Sequence, residues 1–126
     1  MREIKFRAFE KHSQRMFYNV QSGIYMDPDE FESFNDILGL ARYKVMQLSG
    51  LKDKNGDEIY EGDFVKIISP YYGQEIIATV RYENSLASFV FETGEDRGYS
   101  RIDASFKDIE VVGNIYEDPD LLEEAR

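Results

Sequence analysis

The chain has 126 residues, of which 42% are apolar and 14% aromatic, which is material for one core of ordinary domain size. It contains no cysteine and a single histidine, His12, so disulfides, thiolate metal sites, cysteine nucleophiles and multi-histidine metal sites are excluded. The formal charge of −10 is uneven: residues 1–24 are +3 through Arg2, Lys5, Arg7, Lys11 and Arg15, and the strongly acidic remainder would repel a nucleic-acid backbone.

In chain order, Ile4 to Phe9 alternates, with Ile4, Phe6 and Ala8 on one face of a strand. Met16 to Val20 reads as the returning strand, and Lys11 to Gln14 as the loop between them. Asp27-Pro28-Asp29-Glu30 has the residue types of a helix start: a capping carboxylate, a proline at the first helical position and acids at the positive end of the dipole. It predicts a helix over 28–38, with Phe31, Phe34, Ile37, Leu38 and Ala41 on one stripe and Gly39 as a terminator. Such a stripe packs inward, or in a sharper reading meets a partner.

Tyr43 to Leu48 predicts a strand, and Asn55-Gly56 a tight hairpin turn with positive φ angles. Glu61-Gly62-Asp63 predicts a second turn, in which Gly62 relieves backbone strain and Asp63 accepts amide hydrogen bonds. The strand Phe64 to Ile68 leads to a third turn, Pro70 to Gly73, with Tyr71 and Tyr72 at its tip. Ile76 to Tyr82 and Ala87 to Phe91 alternate around Glu83-Asn84-Ser85. Gly94 to Ser105 reads as irregular, Ile109 to Ile115 as a strand, and Asp118-Pro119 as the start of a short C-terminal helix.

These patterns predict a mainly β, α+β fold: an SH3-like or related small antiparallel barrel or bent sheet over 43–116. Residues 1–42 form an added N-terminal hairpin and helix, and 43–126 the β-rich core with its C-terminal helix, unless the whole is a single domain. Apolar runs such as Ile76-Ile77-Ala78 fall far short of a membrane span, and Met1 to Arg7 lacks the apolar block of a secretory leader, so a cytoplasmic protein is expected.

No motif carries chemistry. Asp53-Lys54-Asn55-Gly56-Asp57 opens like a calcium loop, but the positions that require Gly and a bidentate Glu hold Glu58 and Phe64. There is no phosphate loop or nucleophile elbow, and no carboxylate pair stands out from the acidic background. No catalytic, cofactor-binding or metal-binding residue is therefore assigned. Phe31, Phe34, Tyr71 and Tyr72 are the candidate partner contacts. Arg2, Lys5, Arg7, Lys11 and Arg15 would be the phosphate contacts of an alternative, nucleic-acid reading. Asn55, Gly56, Gly62 and Asp63 are read as structural turn residues. Glu117, Asp118, Asp120, Glu123 and Glu124 make an acidic tail, either solvated or in contact with a basic protein.

The run Val45-Met46-Gln47-Leu48-Ser49-Gly50-Leu51-Lys52-Asp53-Lys54-Asn55-Gly56-Asp57-Glu58-Ile59-Tyr60-Glu61-Gly62-Asp63-Phe64-Val65 resembles the signature segment of the YopX family of bacteriophage and prophage proteins. The opening Arg2 to Phe9 and the closing Val111 to Leu122 resemble that family's two ends. Phe9 stands where a Trp is expected, and Leu48-Ser49 where Tyr-Thr is commoner. The resemblance implies a β-rich fold with α additions and brings no catalytic residues. The expectation is a noncatalytic accessory protein of the host cytoplasm, working through a protein partner or through homo-oligomerisation, with a nucleic-acid or nucleoprotein accessory factor as the alternative.

Overall fold

The computed structural model describes residues 3–27, 30–68, 73, 75–93, 99–101 and 108–121. It is mostly β, with a curled antiparallel half-barrel sheet and one short helix, as the sequence pattern predicts. The chain divides into two compact units, Met1–Leu48 and Ser49–Arg126, with the boundary inside a long strand.

In the first unit, β1 (Phe6–Glu10) pairs antiparallel with β2 (Arg15–Tyr18), and Glu10 faces Arg15 across the predicted loop. A 3-10 turn at Val20–Ser22 leads to β3 (Ile24–Asp27), which pairs with β4 (Glu30–Glu32). The helix α1 follows at Phe34–Gly39. The helix predicted over 28–38 therefore begins six residues late, and Glu30 to Glu32 are strand instead. The helix ends at Gly39, one residue beyond the prediction and with Leu40 as its C-cap, so Gly39 is its last residue and not a left-handed cap. Its start is Ser33, whose hydroxyl accepts from the Asp36 amide while the Asp36 carboxylate accepts from the Ser33 amide. This reciprocal capping box satisfies two otherwise free amides and outcompetes the Asp27-Pro28 signal upstream.

The first half of β5 (Tyr43–Lys52) pairs with β1, so that Ala8 faces Val45 and Glu10 faces Tyr43. On this face Ala8, Val20, Ile24, Ile37 and Tyr43 form a buried cluster, flanked by Phe6, Phe17, Phe34, Leu40 and Val45. The opposite face of the same strands is also buried at Arg7, Phe9, Met46 and Leu48. Alternation alone would have left that face to solvent.

In the second unit the chain folds back through β6 (Glu58–Tyr60), β7 (Asp63–Ile68), β8 (Glu75–Glu83) and β9 (Ser88–Glu92). β10 (Tyr99–Arg101) and β11 (Glu110–Asn114) complete a sheet of order β10-β9-β8-β7-β11. β10 lies in a stretch read as irregular. It pairs through its backbone with Val90–Glu92, and edge pairing of this kind leaves no apolar alternation in the sequence. Val65 faces Ala78 and Val111, and Val80 faces Phe91, which gathers Ile59, Val65, Ile67, Ala78, Val80 and Phe91 on one buried face. Burying each of the larger ones contributes about 1.5–3 kcal/mol. Of the predicted C-terminal helix, Asp118 to Leu121 are described: Asp118 and Pro119 are not helical, and Asp120 and Leu121 are.

Candidate interaction surface

The β3–β4 hairpin sorts its side chains by strand alternation. Ile24 and Glu32 face each other on the inner side, and Tyr25 and Phe31 face each other on the outer side. Ile24 joins the buried cluster. Tyr25 and Phe31 bring their rings to 4.7 Å, tilted by 48°, and stay 76% and 48% exposed. The tip of the Phe31 ring reaches the backbone at Gly23, where a Cβ would meet Phe31 Cζ at 2.3 Å. Only glycine permits that approach, so the ring is seated rather than loose.

Glu32 fixes the hairpin from the inner side. Its carboxylate accepts from the Arg42 guanidinium and, at 2.6 Å, from the Tyr43 hydroxyl. Arg42 also stands 3.9 Å from Glu10 and covers the Tyr43 ring at 5.0 Å. Burial and donation to Glu32 push the Tyr43 hydroxyl above its usual range, which keeps it a donor. Glu10 accepts from the Ser13 amide at 2.5 Å and its hydroxyl at 2.7 Å, and these bonds hold its carboxyl below the usual range. The network joins β1, β4 and β5, and it fixes which face of β4 points outward.

The other candidates are placed as follows. Phe34 packs against Phe6 at 4.9 Å in the core of the first unit, so it is not a surface contact. Tyr71, Tyr72 and Arg2 lie outside the described residues. Arg7 is 3% exposed, Lys5 pairs with Glu3 at 2.9 Å, and Arg15 lies over the Phe17 ring at 4.9 Å, while Lys11 is exposed. Of the described basic residues of the N-terminal segment, Arg7 is thus buried, whereas Lys11 and Arg15 are exposed. Tyr25 was missed by sequence reasoning. Its signal is the pair of alternating steps Ile24-Tyr25 and Phe31-Glu32 around Asp27-Pro28-Asp29, which is a hairpin pattern.

The predicted turn residues have other work. Asp53 is 7% exposed, and its Oδ1 accepts from the amides of Asn55 and Asp57, both at 2.9 Å, while Oδ2 accepts from the Val111 amide at 3.0 Å. Burial pushes the carboxyl up, but the bonds from Val111, Asp57 and Asn55 outweigh it and hold the group below the usual carboxylate range. The turn itself differs from the expected two-residue form. Gly56 alone has positive φ, at 86°, and Asp53 bonds through its backbone to both Gly56 and Asp57, which makes a three-residue loop closed by a glycine bulge. At the next turn Gly62 has φ 88°, and Asp63, 1% exposed, accepts from the Tyr60 amide at 2.8 Å, as predicted. Near the C-terminus Asn114 Oδ1 accepts from the amides of Tyr116 and Glu117, and Asp118 accepts from the Asn114 amide.

The family model described as "YopX protein" matches residues 5–123. The chain belongs to the YopX family. Two solved structures are similar to it. Protein EF1440 from Enterococcus faecalis is 28% identical, with a TM-score of 0.64, over 97% of this chain and 99% of that one. Protein yopX from Bacillus subtilis is 19% identical, with a TM-score of 0.61, over 96% and 98%, and it supports the fold alone. No curated protein sequence matches the chain. Within this YopX chain the signature segment around Asp53 to Asp63 closes turns: its buried carboxylates are occupied by backbone amides. Among the described residues, no three His, Asp or Glu side chains gather to hold a metal ion. No described helix is long and apolar enough to cross a membrane.

Proposed function

We propose that this YopX protein is a noncatalytic phage or prophage accessory protein of the host cytoplasm that works as a protein-interaction or oligomerisation module. The observation that carries this reading is the Tyr25–Phe31 pair, two large rings left in solvent by a hairpin whose other face is tied down by Glu32, Arg42 and Tyr43. Aromatic side chains supply contact area at low entropic cost and are enriched at the centres of interfaces. The signature carboxylates support the same reading, because Asp53 and Asp63 spend their lone pairs on amides rather than facing a substrate.

Sedimentation velocity at micromolar concentration, at low and raised salt, combined with affinity capture from the bacterium that carries the gene, tests it. The expected result is a self-assembled species or a stoichiometric partner that is lost in Tyr25→Ser. A monomer at both salts, with no partner that depends on Tyr25, overturns the reading.

A further inference from the structure

We infer that the Tyr25–Phe31 face docks a basic, arginine-bearing segment of a different protein. This rests on the interaction reading above and names the partner's chemistry. Between Met16 and Ala41 there is no Lys, Arg or His, while the same stretch holds Asp27, Asp29, Glu30, Glu32 and Asp36; with Arg42 set against Glu32, an acidic surplus remains. Glu30, next to Phe31 along β4 but on the alternate face of that strand, and Asp36 on α1 are exposed. Two rings at 4.7 Å offer negative π faces, and the field around them is negative, so the complementary ligand is a cation with a flat face. Guanidinium meets both demands, because it stacks on rings and sheds water more readily than ammonium.

A second copy of the chain fits poorly. Its charge is −10, and of its described N-terminal cations Arg7 is buried, Lys5 is paired with Glu3 and Arg15 already covers Phe17, which leaves the exposed Lys11, an ammonium and not a guanidinium. Nucleic acid and anionic lipid carry the wrong sign for this face.

The test is a titration of the isotope-labelled full chain with an amidated arginine–glycine repeat peptide, followed by NMR at about 0.15 M salt, where exposed charges act only across roughly 8 Å. A lysine–glycine peptide of equal length is the comparison. The expected result is shift changes confined to Gly23–Glu32, with arginine bound more tightly than lysine. Tyr25→Ser should weaken binding about fivefold, the loss of one exposed cation–π contact. Glu30→Gln, which changes charge and leaves the rings, should weaken it by a smaller factor, and Tyr82→Ser on the second unit should leave it unchanged. Shifts spread over the acidic surface, equal affinity for the two peptides, or indifference to Tyr25→Ser overturns the assignment. If peptide binding fails while sedimentation shows an oligomer lost in Tyr25→Ser, the basic partner is overturned and the interaction reading stands with a second copy. Failure of both removes both.

Discussion

In the unit Ser49–Arg126 the buried Asp53 and Asp63 bind backbone amides, whereas in Met1–Leu48 the half-buried Glu32 binds two side chains. Asp53 and Asp63 accept from amides of Asn55, Asp57, Val111 and Tyr60, and so close turns against the curled sheet. Glu32 accepts from Arg42 and Tyr43 instead, and so holds a hairpin that leaves Tyr25 and Phe31 in solvent. A carboxylate committed to amides specifies chain path, locally at Asp63 and, at Asp53, also between the turn and the distant β11. One committed to long side chains ties separate strands together and can keep an unfavourable apolar surface on display. Asp53 and Asp63 of the second unit therefore serve the fold, and Glu32 of the first holds a surface in place.

The largest expected effect tests the apolar core of the second unit. Phe91→Ala should cost about 3–5 kcal/mol, since the ring is fully buried among Val65, Val80 and their neighbours and leaves a cavity. Chemical denaturation measures it, and a loss within experimental error would mean that the half-barrel is not the stabilising element.

Asp53→Ala comes next, at about 2–3 kcal/mol, because one substitution removes the acceptor of three amides. The same group predicts acid sensitivity. Its folded pKa is depressed, so its contribution is fully present above the unfolded carboxylate value and is lost as pH falls through the lower, folded value. Asp53→Asn should lack that portion of the stability–pH curve. If the two curves run parallel in acid, the carboxylate is not the clamp described.

Gly56→Val should cost about 1–2 kcal/mol of backbone strain. Nothing lies within 4 Å of the added Cβ, so the whole penalty comes from φ 86°. An unchanged thermal midpoint would show that the loop can relax to a turn without positive φ. The smallest effect should be that of Tyr25→Ser on stability, within about 0.5 kcal/mol for an exposed side chain. A large loss there would erase the contrast, making the aromatic pair part of the fold rather than a surface.

Much of the second unit was legible because strand alternation and turn chemistry are local. Phe64 to Ile68 and Ile76 to Tyr82 fall within β7 and β8, and Gly62 and Asp63 do what their residue types suggest. The errors cluster where two local signals competed or where pairing came from afar. Asp27-Pro28 and Ser33-x-x-Asp36 are both helix starts, and the structure uses the second. Tyr99–Arg101 becomes a strand because Val90–Glu92 offers an edge.

By itself the sequence determined the β-rich class, the turn positions at Asn55-Gly56 and Gly62-Asp63, the charge imbalance and the YopX membership, since each is written in short runs of residues. The predicted turn Pro70 to Gly73 lies, but for Gly73, outside the described residues. Tertiary structure alone decided that Arg7 is buried, that Asp53 reaches Val111 across 58 positions, and that Glu32 faces Arg42 and Tyr43 while Phe31 faces solvent. The physical reason is that alternation tells which residues share a face but not which face is covered, and covering is settled by segments distant in the chain.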